Sequence, residues 1–344
     1  MQAVVLVGGL GTRLRPLTVD TPKQMLPVVD RPMIEHVVAH LAGHGVTRVV
    51  LSLGFRPEAF TDGYPAGNCV GMPLHYAVEP EPMDTAGAVR FAAVAAGVDE
   101  TFLVLNGDVL TDLNVSAIVA GHRASGSLGT IALIEVDDPS RYGVVTVAPD
   151  DSSGDLGDMT QGRVSGFVEK PPRGEAPSRW INAGTYVFEP TVLDRIEVDR
   201  RVSIEREVFP ALAAEGSLRA VCSEAYWLDV GTPEAYLRAQ ADLIDGTRAR
   251  MDPVAATAGV ATTAVVERAV VMSGASVGSG ATVCDAVLME GAVVEAGAVV
   301  RDSVLGPGAR VEERAVVTGW TLVGRGQVVG ADTVADGVRF PDED

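Results

Sequence analysis

The chain has 344 residues, of which 47% are hydrophobic, and a net charge of −19. That length predicts two domains. The charge excludes nucleic acid and anionic membrane surfaces as partners, because both call for a basic face. Any anionic ligand must therefore be met by a local positive site. Aromatic residues make up only 5%, and Ala, Val and Gly carry the apolar share, which suits close-packed α/β layers and tight turns. Cys69, Cys222 and Cys284 are odd in number and widely spaced. They predict no metal cluster or disulfide framework, and hence a reducing cytoplasm. Met1-Gln2-Ala3-Val4-Val5 enters directly as a strand, with no basic region that would predict a signal peptide. No apolar run is long enough to span a bilayer.

Residues 1 to about 245 alternate strand-like and helix-like segments. Short buried strands are predicted at 2–7, 48–53, 74–78, 102–105 and 130–136. A helix is predicted from 32 to about 42, where Met33, Ile34, Val37, Val38 and Leu41 recur at helical spacing behind an early proline. A second helix is predicted at 85–96. This alternation predicts an α/β fold of Rossmann-like type, with a mostly parallel sheet and helices on both faces. The polar, Gly-rich stretch 150–162 reads as a mobile excursion between strands.

After about residue 250 the texture changes. From Val277, apolar residues recur roughly every six positions: Val277, Val283, Val293, Val299, Leu305, Val311, Val317 and Val323, with one slip near 287–289. A six-residue period with small residues between predicts a parallel β-helix, each rung burying one face on its neighbours. The expected division is an α/β domain at 1–245, a linker at 246–264 and the β-helix at 265–344. Lacking catalytic residue types, the β-helix is expected to serve assembly and regulation.

The chain holds two lysines, Lys23 and Lys170, against 25 arginines. Arginine is a planar fork, whereas lysine is a compact charge on a flexible stem, suited to one oxygen of a crowded phosphate. Lys23 follows Gly8-Gly9-Leu10-Gly11-Thr12-Arg13, a run placed directly after the first strand. Glycines there let backbone amides approach phosphate oxygens. A dinucleotide fingerprint would need glycine or alanine where Leu14 stands, and a P-loop would need Gly-Lys followed by Ser or Thr. Asn106-Gly107-Asp108 ends the strand at 102–105, where a parallel sheet opens its ligand crevice. Asp108 is a candidate Mg²⁺ ligand, since that ion takes one or two carboxylates plus phosphate oxygens. Asp229 is available as a second carboxylate; either aspartate could equally cap a helix or shape a turn. Arg141-Tyr142-Gly143-Val144, Glu169-Lys170-Pro171 and Ile181-Asn182-Ala183-Gly184 offer a mixture suited to sugar hydroxyls and one phosphate.

Taken in this order, the motifs resemble the sugar-1-phosphate nucleotidyltransferases, over nearly the whole chain. Within that family the likeness is greatest to the bacterial guanylyltransferases that act on mannose 1-phosphate. The resemblance implies that a sugar 1-phosphate and an NTP give an NDP-sugar and pyrophosphate, and that the β-helix is left-handed. It implies that Leu6, Gly8, Gly9, Gly11, Thr12, Arg13 and Lys23 hold the nucleotide, with Glu79, Asp84, Thr85 and Gly87 on the base side. Gly143, Glu169, Lys170 and Asn182 would hold the sugar phosphate, and Asp108 and Asp229 would bind Mg²⁺. Arg13, Lys23, Lys170 and Asp108 would carry the catalysis. GTP is the favoured nucleotide, in a cytoplasmic homo-oligomer. Thymidylyl-, uridylyl- or adenylyl transfer to glucose 1-phosphate, a cyclitol phosphate acceptor, or a non-catalytic sugar-nucleotide-binding subunit are the alternatives. Acetyl transfer by the β-helix is disfavoured because all five histidines precede it. Gln24 and Asp84 depart from the family pattern. Gln24 is expected to change only loop stiffness, and Asp84 places a carboxylate near the base or ribose.

Overall fold

Strand β1 (Gln2–Leu6) sits between β2 (Arg48–Leu53) and β5 (Phe102–Asn106), parallel to both, with Val4 opposite Val50 and Val104. Ala3, Val4 and Val5 are fully buried, as expected of a strand covered on both faces. The computed structural model describes residues 1–149, 159–198 and 200–341. The chain forms two compact units: Met1–Gly9 with Glu35–Trp227, and Leu10–Ile34 with Leu228–Asp344.

In the first unit the remaining strands are β3 (Asn68–Cys69), β4 (Met72–Val78), β6 (Gly129–Glu135), β7 (Gly143–Pro149), β8 (Thr160–Glu169), β9 (Trp180–Phe188) and β10 (Leu218–Ser223). They build one ten-stranded sheet in the order β7-β8-β10-β6-β9-β5-β1-β2-β4-β3. The run β5-β1-β2-β4 is parallel, and its carboxyl ends carry the glycine turn and Asp108. Beyond it, β9 runs antiparallel to both β5 and β6, so the sheet as a whole is mixed. The expected helix at 85–96 forms as Asp84–Ala95, and its buried Ala86, Val89, Ala92 and Ala93 join Val4, Val50, Phe102, Tyr186 and Phe209 in the core. Residues 150–158, within the expected excursion, lie outside the described residues. Gln161 and Gly162 already belong to β8.

In the second unit, residues 252 onward wind through three all-parallel, five-stranded sheets. The first runs from Gly259–Val260 to Val328–Val329, the second from Val265–Glu267 to Val334–Asp336, and the third from Val270–Val271 to Arg339–Phe340. Three such sheets are consistent with a left-handed β-helix. Its interior is a column of Val277, Val283, Leu288, Val294, Val300, Leu305, Val311, Val317 and Val323. This corrects the expected positions Val293 and Val299, which are only half-buried. The repeat is not six throughout. Register pairs Val266 with Val283 and Val283 with Val300, 17 residues apart, whereas Val304 pairs with Leu322 and Val311 with Val329, 18 apart. In the 17-residue coils one corner is a residue short, and Arg268, Asp285 and Asp302 turn it at φ 46°, 47° and 44°. The single slip at 287–289 is thus one instance of a recurring tight corner. The three cysteines are free and buried. No described helix is long and apolar enough to cross a membrane.

Candidate functional site

The turn after β1 is clamped from both sides. Val7 donates its amide to the Ser52 carbonyl at 3.1 Å, and Gly107 donates to the Leu6 carbonyl at 2.9 Å. Gly8 then crosses Gly54 closely enough that a Cβ at position 8 would lie 3.3 Å from the Gly54 amide nitrogen. Beyond the turn opens a cavity of about 230 Å³, lined among others by Leu6, Gly8, Gly9, Glu79, Asp84 and Thr85. Glu79 is half-buried, accepting from Ser52 Oγ at 3.1 Å and from the Met83 amide at 3.3 Å. Burial pushes its carboxyl above the usual range, and those two donors pull the other way. Asp84 takes φ 60°, and its Oδ1 accepts from the Thr85 amide at 2.8 Å. The Thr85 hydroxyl donates to Glu205 Oε2 at 2.7 Å and accepts from the Ile204 amide at 2.8 Å. Gly87 is buried and donates its amide to the Val202 carbonyl at 3.2 Å. Its place is to admit the segment 200–204 against the start of the helix.

The expected sugar-side residues also converge. Gly143 pairs with Glu169 in the β7–β8 register, and a Cβ on Gly143 would fall 2.9 Å from Glu169 Oε2. The carboxylate therefore hangs over bare backbone. Lys170 Nζ lies 2.9 Å from Glu169 Oε1. Val144 pairs with Ile181, which brings Asn182 alongside. Asn182 Oδ1 accepts from the Gly184 amide at 2.8 Å while its Nδ2 donates to the Tyr186 hydroxyl at 2.8 Å. Gly184 takes φ 71°, and a Cβ there would meet Asn106 Nδ2 at 2.7 Å. The Asn-Ala-Gly motif is thus a bulge in the buried strand β9, where the register against β6 shifts. Burial pushes the Tyr186 phenol far up, and Glu205, Glu169 and Asp108 add to the effect through their charges. Asp108 and Glu169 therefore share one electrostatic neighbourhood. Gly107 is required beside it, since a Cβ would stand 2.6 Å from Val7 Cγ1.

In the second unit, Gly11 takes φ 62° and its carbonyl accepts from Thr18 Oγ1 at 2.8 Å. A Cβ on Gly11 would lie 3.3 Å from Lys23 Cβ, so the loop folds back on the lysine that follows it. Short 3₁₀ turns at Thr12–Leu14 and Lys23–Met25 hold Arg13 and Lys23. A Cβ on Gly231 would fall 2.8 Å from Asp229 Oδ1 and closer still to Arg13 Nη2. Gly231 thus leaves the space in which Arg13 and Asp229 meet. Gln24 is 1% exposed and its Oε1 is buried without a hydrogen-bond partner. It is a packed residue of the 3₁₀ turn Lys23–Met25.

Sequence reasoning gave no role to Tyr186, Asn106, Gly231 or Arg201. The first three act by holding or admitting named site residues, which no spacing reveals. Arg201 also lines the 230 Å³ cavity, but in the sequence it is one of a run of charges.

These features define an α/β domain with a cavity beside a glycine turn, followed by a parallel β-helix. A family model described as "Nucleotidyl transferase" matches residues 2–246, and one described as "GMPPB C-terminal domain" matches 252–340. The chain belongs to the nucleotidyl transferase family, a family of enzymes. It is 39% identical over 249 residues to a mannose-1-phosphate guanylyltransferase of Mycobacterium tuberculosis, covering 72% of this chain and 65% of that one. It is 41% identical over 241 residues to a mannose-1-phosphate guanyltransferase of Hypocrea jecorina, covering 69% and 62%. The aligned part thus spans under two thirds of the length of these curated relatives. Among solved structures, HddC from Yersinia pseudotuberculosis complexed with GMP-PN is similar at TM-score 0.56 and 30% identity, covering 70% of this chain and 97% of that one. A UDP-glucose pyrophosphorylase from Acinetobacter baumannii shares the fold at TM-score 0.59 and 24% identity, over 72% and 94%.

Proposed function

We propose that the protein transfers a guanylyl group from GTP to mannose 1-phosphate, giving GDP-mannose and pyrophosphate. The observation that carries the reading is the cavity lined by Gly8 and Gly9 and also by Glu79, Asp84 and Thr85. The names of the aligned relatives and the GMP-PN complex of HddC support the choice of base.

The sugar phosphate oxygen attacks the α-phosphorus in line, a new P–O bond forms and the bond to pyrophosphate breaks. Bringing two anions together is the main obstacle, so the protein's work is positioning and charge neutralisation. Arg13 and Lys23 meet the triphosphate, Lys170 the sugar phosphate, and Glu169, Asn182 and the Gly143 backbone the sugar hydroxyls. No general base is required, because the attacking phosphate oxygen is already ionised at neutral pH. Mg²⁺ takes one or two carboxylates and completes its shell with phosphate oxygens and water. Asp108 and Asp229 would supply those carboxylates, and Mg²⁺ held by them would neutralise charge on the phosphates.

We assign nucleotidyl transfer to residues 1–245 and place the β-helix from Gly259 on, inside the expected linker at 246–264, in a cytoplasmic homo-oligomer whose mass sedimentation would measure. The test of function is pyrophosphate release over a matrix of GTP, ATP, UTP and dTTP against mannose, glucose and cyclitol phosphates. Highest kcat/KM is expected for GTP with mannose 1-phosphate. Preference for another NTP in direct competition overturns the choice of base. No release with any pair overturns the reaction in favour of a binding subunit.

A further inference from the structure

We infer that Arg201 is a specificity-determining residue of the nucleotide cavity, donating its guanidinium fork to O6 and N7 of guanine. The inference rests on the guanylyl reading above and names the group that enforces it. Arg201 lines the same cavity as Asp84. Its backbone is pinned: the next residue, Val202, donates its amide to the Met83 carbonyl at 3.1 Å and accepts from the Ala86 amide at 2.9 Å. Its neighbour Arg200 is committed elsewhere, with Nε 2.6 Å from Glu197 Oε2 and Nη2 2.6 Å from Glu207 Oε2. The side chain of Arg201 is exposed, and it makes no hydrogen bond or ion pair among the described residues. A fixed backbone, an uncommitted guanidinium and a position on the cavity wall together describe a group waiting for a ligand.

The chemistry of the two charged walls selects the ligand. A guanidinium only donates, and an ionised carboxylate only accepts. Guanine offers acceptors at O6 and N7 and donors at N1 and N2, and arginine meets the O6/N7 pair with both arms of its fork. Adenine keeps the N7 acceptor but turns an amine toward the other arm of the arginine and a ring acceptor toward the carboxylate. Uracil and thymine offer a carbonyl and an N3–H but no N7, so they satisfy one arm of the fork. The apolar wall from Leu6, Pro82, Met83 and Ala88 suits the faces of any base and discriminates among none.

The test uses the full-length chain and compares GTP with 7-deaza-GTP, which lacks the N7 acceptor, and with ATP. In the wild type, 7-deaza-GTP should lose about tenfold in kcat/KM, the scale of one good base contact. In Arg201→Met, GTP should fall by about tenfold to a hundredfold and the 7-deaza penalty should vanish. ATP use should not fall, and the KM for mannose 1-phosphate should stay within about twofold, a change worth only about 0.4 kcal/mol. An equal loss with every NTP would assign Arg201 to ribose or phosphate and overturn the inference. So would a 7-deaza penalty that survives the substitution. A wild type without GTP preference overturns the choice of base and this inference with it, whereas a GTP preference untouched by Arg201→Met overturns this inference alone.

Discussion

The Glu169 carboxylate and the Lys170 ammonium, adjacent in sequence, close an ion pair at 2.9 Å. Successive strand residues normally point to opposite faces. Lys170 escapes that alternation by taking φ 48° at the end of β8, while its amide donates to the Tyr142 carbonyl at 3.0 Å. The turn brings one acceptor and one cation to the same side, over the bare backbone of Gly143.

Lys170→Arg tests that arrangement. Charge is kept, but the wider fork must reach from the same left-handed turn while still facing Glu169. The expected result is a rise in KM for the sugar phosphate of about tenfold, equivalent to about 1.4 kcal/mol, with KM for the NTP changed far less. Initial rates with each substrate varied in turn provide the measurement. Unchanged kinetics would remove Lys170 from the sugar-phosphate contacts.

Much of this was legible in the sequence because it depends on local rules. The strand at Arg48–Leu53 and the helix at 84–95 follow from runs and periods that a single element satisfies by itself. The glycine turn was legible for the same reason, since only glycine permits Gly8 and Gly54 to cross. What could not be read depends on register between distant strands. Asn182-Ala183-Gly184 looks like a turn in sequence, yet it is a bulge inside β9, because its partners on β6 are some 50 residues earlier and shift register there. The interior of the β-helix was misassigned at Val293 and Val299 by a similar cause. A period of six is imposed by flat sides, and counted back from Leu305 it gives Val299 and Val293, whereas the short corner at Asp302 puts Val300 and Val294 inside. Nothing local announces the burial of Gln24 either.

The β-helix also proves to be more than an appendage. Gly324 and Pro16 pack together: a Cβ on Gly324 would lie 3.1 Å from Pro16 Cγ and 2.9 Å from the Phe340 carbonyl oxygen. Arg325 Nε meets Asp20 Oδ2 at 3.1 Å on the same loop, although both side chains are well exposed and such a pair contributes little. The loop so supported carries Arg13 and Lys23. Gly324→Val should wedge it outward, raising KM for the NTP by about tenfold with a smaller effect on the sugar phosphate, as 1 Å shifts in positioning groups cost rates heavily. Wild-type NTP kinetics in a folded Gly324→Val chain would show that the loop holds its shape without the β-helix.

His122 supplies a stability prediction away from the site. It is buried on the helix Val115–Ser125, with Nδ1 2.8 Å from Thr130 Oγ1 and Nε2 3.1 Å from Glu189 Oε1. Burial holds its pKa below the ordinary value, against the opposing pull of Glu189, while Arg123 adds to the lowering. The unfolded chain, with a histidine near the ordinary pKa of about 6.5, therefore binds more protons than the folded one as pH falls through that value. Stability from this group is complete above about pH 6.5 and is lost on acidification, by at most about 1.4 kcal/mol per pH unit. Urea unfolding at pH 7, 6 and 5 should show wild-type stability declining faster than that of His122→Gln, which keeps a polar side chain and cannot titrate. The substitution lowers stability at pH 7 by disturbing a packed hydrogen-bonded site, so the comparison lies in the slopes. Parallel slopes for the two proteins would mean that His122 titrates alike in the folded and unfolded chains, contradicting the burial argument.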